Sequence, residues 1–184
     1  TIMNDCKYGW DKPDDNTLRL TLLHTPETGE WCANQATQDF GEHTLTYSIV
    51  GHQGPLSSAK AAAVSDALNQ KKIAYLAPKH KGTIGKEFVM VSTDNPAIRV
   101  KALKKAQNGE GIVVRTYELS GNAASGKITF PADILSAVEV NGIEETIGEA
   151  SFSGNTLNVD VAGFEPKSYR VQLAAPAHPI APAE

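Results

Sequence analysis

Short runs in which apolar and polar residues alternate with a period of two recur through most of this chain. Each is closed by Gly, Asn, Asp or Pro, and this pattern restricts the fold more than any other feature of the sequence. Strict alternation over four to eight residues places one side-chain set inside and the other in water, as in a half-buried strand. Thr17–Leu22 and His43–Val50 are two such runs. Others follow at Phe88–Ser92, Gly111–Glu118, Gly126–Phe130, Ser136–Val140, Thr156–Val161 and Tyr169–Leu173. Ile98–Leu103 reads as strand or helix; its alternation, with Arg99 and Lys101 outward, favours a strand, and Asn108-Gly109-Glu110-Gly111 favours a turn into the next strand, which makes a hairpin. Spacings of about ten to fifteen residues with turn chemistry between them predict an all-β antiparallel β-sandwich and not βαβ units.

One segment breaks the pattern. Ser57–Leu68 is alanine-rich, opens on serines suited to an N-cap, and sets Ala61, Val64 and Leu68 on one face. It predicts a single short helix at about 57–69, lying over a sheet edge or crossing between two sheets. Domain organisation reads as a first part at 1–77, a flexible joint at 78–87, a C-terminal sandwich at 88–173 and an Ala/Pro-rich tail at 174–184. The first residue is not Met and lies within a strand-like segment, so the chain reads as a fragment or a processed product.

Composition narrows the function. With 184 residues, 41% of them hydrophobic, folding buries roughly 70% of the surface of the unfolded chain, enough for a core without staples. A net charge of −4 argues against nucleic acid, which calls for a basic face. The longest apolar stretches fall far short of the roughly 20 residues that span a bilayer, so the expectation is a soluble protein with no membrane partner, its compartment unknown between cytoplasm and bacterial periplasm. Cys6 and Cys32 could form one bridge, but nothing in the spacing demands it.

Candidate chemistry is sparse. His24, His43 and His52 flank predicted strands in one half of the chain, but no H-x-H or H-x-x-x-H pair occurs, so no metal site is expected; His43 beside Glu42 reads as a strand-end residue held by hydrogen bonds. G-x-S-x-G is absent, and "GTIGKE" at 82–87 lacks the phosphate-loop pattern. Among the acidic residues Asp5 and Glu118 stand out, in "NDCKYG" and "VVRTYELSG". Paired carboxylates could hydrolyse glycosides. The plainer reading makes Arg115 and Glu118 part of a surface strand with cross-strand ion pairs worth about 0 to 1 kcal/mol.

Six stretches occur in order: "IMNDCKYGWD", "LRLTLLHTP", "DFGEHTLTYSIVGHQG", "ALNQ", "GIVVRTYELSG" and "VAGFEPKSYRVQL". Together, over residues 1–173, they resemble the C-terminal portion of glycoside hydrolase family 38 α-mannosidases. The most similar branch has members in bacteria, yeast vacuole and animal cytosol, where N-D-C-K-Y-G, L-x-L-S-L-L-R-x-P and D-x-G-x-H-x-F-x-Y recur. His24 replaces the usual Arg after Leu-Leu, and "ETGEWCANQATQ" replaces a Pro- and Asp-rich stretch. The resemblance implies part of a galactose-mutarotase-like super-sandwich followed by a smaller C-terminal β-sandwich. It implies a retaining exo-mannosidase whose nucleophile, acid and zinc belong to an N-terminal barrel absent from this chain, which holds no catalytic residue, metal ligand or cofactor of its own. The implied partners are that catalytic domain and a mannose-containing glycan. Lys7 is the match to a basic residue near the sugar pocket, with Asn4, Asp5 and Tyr8 as supports. A carbohydrate-binding module is the rival, weakened because Trp10 and Trp31 fall outside the alternating strands; an oligomerisation domain, with the chain as a homo-oligomer, is a third reading.

Overall fold

The computed structural model of the chain describes residues 1–25, 38, 40–54, 57–79, 81 and 87–175. Trp31, Cys32, nearly all of "ETGEWCANQATQ", most of the 78–87 joint and most of the 174–184 tail lie outside them, and with them the Cys6–Cys32 bridge. The chain divides into two compact units, Thr1–Leu56 with Lys60–Ala74, and Ser57–Ala59 with Tyr75–Glu184.

The first unit is made of ribbons. Strands β1 (Ile2–Asn4), β2 (Trp10–Asp14) and β3 (Thr17–Leu20) are followed by β4 (Tyr47–Ile49) and helix α1 (Ser58–Asn69). β1 pairs antiparallel with β4, Ile2 opposite Ile49 and Asn4 opposite Tyr47. β2 and β3 form a hairpin with Trp10 opposite Leu20 and Asp11 opposite Arg19. Asp14 sets the turn, accepting the Asn16 N–H at 2.8 Å, because an aspartate there imitates a backbone turn. The helix half-buries Ala61, Val64 and Leu68, the stripe predicted for it.

The second unit is an antiparallel sandwich. It contains β5 (Ser92–Thr93), β6 (Ile98–Lys105), β7 (Ile112–Glu118), β8 (Ala124–Thr129), β9 (Ile134–Val140), β10 (Thr146–Glu149), β11 (Phe152–Ser153), β12 (Thr156–Val161) and β13 (Pro166–Leu173). One sheet runs β10-β9-β13-β7-β6 and the other β11-β12-β8-β5. Val114, Tyr169 and Val171 meet Ile128, Phe130, Leu157 and Val159 in one core cluster. β12 shows how the sequence does this: Leu157, Val159 and Val161 are buried while Asn158 and Asp160 are exposed. The sandwich expected from alternation is therefore present.

Details differ. The 88–92 run contributes only its last residue to a strand, β5, and the 43–50 run pairs only at Tyr47–Ile49. The predicted β6–β7 hairpin forms, with a register shift between Val100 and Ala102 that leaves Lys101 exposed at the bulge of an edge strand. Trp10 is inside a strand, β2, that the sequence reading did not propose. Its run, Trp-Asp-Lys-Pro-Asp, is exposed throughout and so carries no alternation to detect.

Candidate functional site

The "NDCKYG" segment begins at the end of strand β1 and turns away from it. β1 ends at Asn4, whose carbonyl accepts the Asn69 side-chain amide at 3.2 Å and whose Oδ1 accepts the Lys7 N–H at 2.6 Å. Asp5 continues the ladder for one more step, donating its N–H to the Thr46 carbonyl at 3.1 Å and accepting the Thr46 N–H on Oδ1 at 3.1 Å. Hydrogen bonding from the Cys6 thiol, then from the Thr46 backbone, holds the Asp5 carboxyl below the usual carboxylate range; the same contact with Asp5 pushes the Cys6 thiol up. Asp5 is thus occupied in shaping the turn. Asp5, Cys6 and Tyr8 are exposed, Tyr8 to 88%, and Lys7 is half-buried.

A cleft of about 290 Å³ opens beside this turn. It is lined by Thr1, by Ile2 and Asn4 of β1, by Trp10 of β2, and by Leu18, Arg19 and Leu20 of β3. Arg19 is held by a two-pronged ion pair to Asp11, with Nε to Oδ1 at 2.7 Å and the second prong to Oδ2. Both side chains are well exposed, so the pair orients the guanidinium more than it stabilises the fold.

The other candidates do not converge on the turn. His24 is exposed in coil, and His43, half-buried, precedes β4 instead of ending a strand. His52 meets the Gly54 carbonyl and the Thr1 hydroxyl through its two ring nitrogens, at 2.7 and 3.2 Å. Among the described residues no group of three or more His, Cys, Asp or Glu side chains is placed to hold a metal ion.

Glu118 corrects the surface-strand reading. It is 0% exposed and makes no ion pair with Arg115. Its carboxylate accepts the N–H of Ser120 at 2.6 Å, the Ser120 hydroxyl, the N–H of Gly121 at 2.7 Å and the N–H of Phe164 at 3.0 Å. Burial by itself raises the carboxyl's pKa; the bonds from Phe164, Ser120 and Gly121 outweigh it and bring the group from the ordinary 4.5 down to about 2. The two turns that follow β7 and β12 are pinned on one side chain.

Comparison with known proteins places the sandwich. Residues 97–169 match the glycosyl hydrolases family 38 C-terminal beta sandwich domain. This chain carries a family 38 C-terminal β-sandwich domain. It is 32% identical over 173 residues to alpha-mannosidase G of Dictyostelium discoideum, covering 92% of this chain and 15% of that protein. It is 26% identical over 182 residues to human alpha-mannosidase 2C1, covering 96% and 17%, and 27% identical over 192 residues to an alpha-mannosidase of Saccharomyces cerevisiae, covering 93% and 17%. The chain therefore spans only about a sixth of the length of these relatives. Among the described residues no helix is long and apolar enough to cross a membrane.

The family 38 match runs from just before β6 into β13, so Glu118 belongs to it and the Asn4–Tyr8 turn precedes it. The same domain contains a second clamp that sequence reasoning missed. Glu144, between β9 and β10, takes a positive φ of 70° and lays its carboxylate across the sheet. There it receives Lys104, the Gln107 N–H at 2.7 Å and Arg115 at 3.7 Å. Its partners are about 30 to 40 residues away in sequence, and nothing in "NGIEET" marks it.

Proposed function

We propose that this chain is the C-terminal β-rich part of an α-mannosidase, one that supports the catalytic domain and lines the active-site cleft without supplying a catalytic group. The full enzyme would remove terminal non-reducing α-mannose residues with retention of configuration. Its nucleophile, its acid and its zinc would lie elsewhere in the longer protein, and no chemical step is assigned to a residue of this chain.

The observation that carries the reading is the thinness of the first unit. Met3 is the one buried large hydrophobic side chain among its described residues, while Leu22, Leu23, Phe40, Tyr47 and Ile49 are exposed. Two-stranded ribbons are at best marginally stable alone, and stable sheets need further strands or a packed face. A neighbouring part of a longer protein would provide that face, and the Asn4–Tyr8 turn would meet it.

Lys7 is the residue we assign to substrate or to a catalytic-domain carboxylate, through a charge-assisted hydrogen bond of roughly 1.5 to 3 kcal/mol. Asn4 and Asp5 hold the turn that presents it, and Tyr8 flanks it. In the full-length enzyme, Lys7→Met is expected to lower kcat/KM on an α-mannoside by about ten- to a hundredfold. An unchanged value would sink the assignment. The 184-residue chain alone, supplied with zinc, is expected to release no product from a chromogenic α-mannoside; turnover above an uncatalysed control would place the catalytic groups here and refute the larger reading.

A further inference from the structure

The cleft beside β1 has an aromatic wall and a polar wall that the reading above leaves unused. Trp10 is 67% exposed, and its partner across the hairpin, Leu20, lines the same cleft. Asn4 stands on the opposite strand. Its Oδ1 is fixed by the Lys7 N–H at 2.6 Å, and its Nδ2 has no hydrogen-bond partner among the described residues. Arg19 also borders the cleft, but its guanidinium is committed to Asp11, so a free anion finds no unpaired cation there. At about 290 Å³ the space lies at the lower end of small-molecule sites, with room for a single ring.

A pyranose ring has the chemistry that matches both walls. One of its faces presents C–H groups, which pack on the electron-rich face of an indole, and its rim presents hydroxyl oxygens, which accept from an amide N–H. An apolar chain would cover Trp10 but leave the Asn4 amide without an acceptor. We infer that this cleft holds a sugar ring of the glycan other than the one whose bond is cleaved, stacked on Trp10 and hydrogen-bonded to Nδ2 of Asn4. The inference rests on the reading that Lys7 reaches the catalytic pocket. Asn4 and Trp10 each lie three residues from Lys7, within about 10 Å along an extended chain. A ring in the cleft would then neighbour the terminal mannose.

The test uses the full-length enzyme with two substrates, methyl α-mannoside, which has one ring, and a mannose-terminated oligosaccharide. Trp10→Ala is expected to lower the ratio of kcat/KM for the oligosaccharide over that for the methyl glycoside by about tenfold, chiefly through KM, and Trp10→Phe to recover most of it. Should Trp10→Ala fail to fold, Trp10→Leu keeps the bulk without the aromatic face and is expected to show the same fall in ratio. An unchanged ratio in the folded variant overturns the inference. Lys7→Met, expected to depress both substrates alike, separates the two ideas: loss with Lys7→Met and no change of ratio at Trp10 overturns the sugar-ring site alone.

Discussion

Glu118→Gln is expected to lower the thermal midpoint of the 184-residue chain by on the order of 10 °C, although the substitution changes no volume. Four donors converge on two carboxylate oxygens: the Ser120 N–H and hydroxyl and the Gly121 and Phe164 N–H groups. A carboxamide keeps one acceptor oxygen and turns the other position into a donor, so it opposes N–H to N–H in a buried site. A thermal melt followed by circular dichroism reads the change; a midpoint within a degree or two of the parent would show that the turns hold without the carboxylate. The same group gives a pH signature. Its pKa is about 2 in the folded chain against 4.5 ordinarily, so the unfolded state binds more protons between those values and stability rises with pH there. The contribution is complete above about pH 5.5 and lost as pH falls through the window from 4.5 to 2. Other carboxylates titrate in the same range, so the measured quantity is the gap between parent and Glu118→Gln. That gap should close as the solution is acidified, and a gap independent of pH would contradict the mechanism.

Phe130→Ala is expected to cost about 3 to 5 kcal/mol, through lost burial and the cavity left behind. Phe130 is 2% exposed in the core cluster with Ile128, Leu157 and Val159. Its backbone is bracketed by Asn155: the Phe130 N–H donates to the Asn155 carbonyl at 3.0 Å, and the Asn155 amide donates to the Phe130 carbonyl at 2.8 Å. The surrounding strands therefore have little freedom to collapse into the space. Phe88→Ala is the paired control, because Phe88 is 54% exposed and its truncation should cost under about 1 kcal/mol. Chemical denaturation of both variants decides it, and equal costs would mean that Phe130 is not part of a close-packed core.

The sandwich was legible where strands have one dry and one wet face. β12 was read to the residue, and β7, β9 and β13 to within a few, because Val, Ile and Leu alternate there with polar residues. Alternation could not reveal β2, which is exposed on both faces and contains Pro13, nor β10 and β11, which are short edge strands. The composition of "NDCKYG" was visible, but its turn depends on Thr46 and Asn69, which are distant in sequence. Glu118 was noticed and misread for a related reason. The Phe164 N–H it accepts lies 46 residues further on, and no local rule distinguishes a carboxylate facing buried amides from one facing water.

The edge strand β6 has a consequence for how this domain survives as it is made. Its open side is a row of backbone groups ready to template another strand, and Arg99, Lys101, Lys104 and Lys105 are spread along it. Two copies approaching edge to edge would bring these cations together, and the bulge at Lys101 twists the edge away from the flat geometry that fibrils require. Whatever else these cations hold within one copy, as Lys104 holds Glu144, they disfavour edge-to-edge association during folding, when the neighbouring strand β7 is still uncovered.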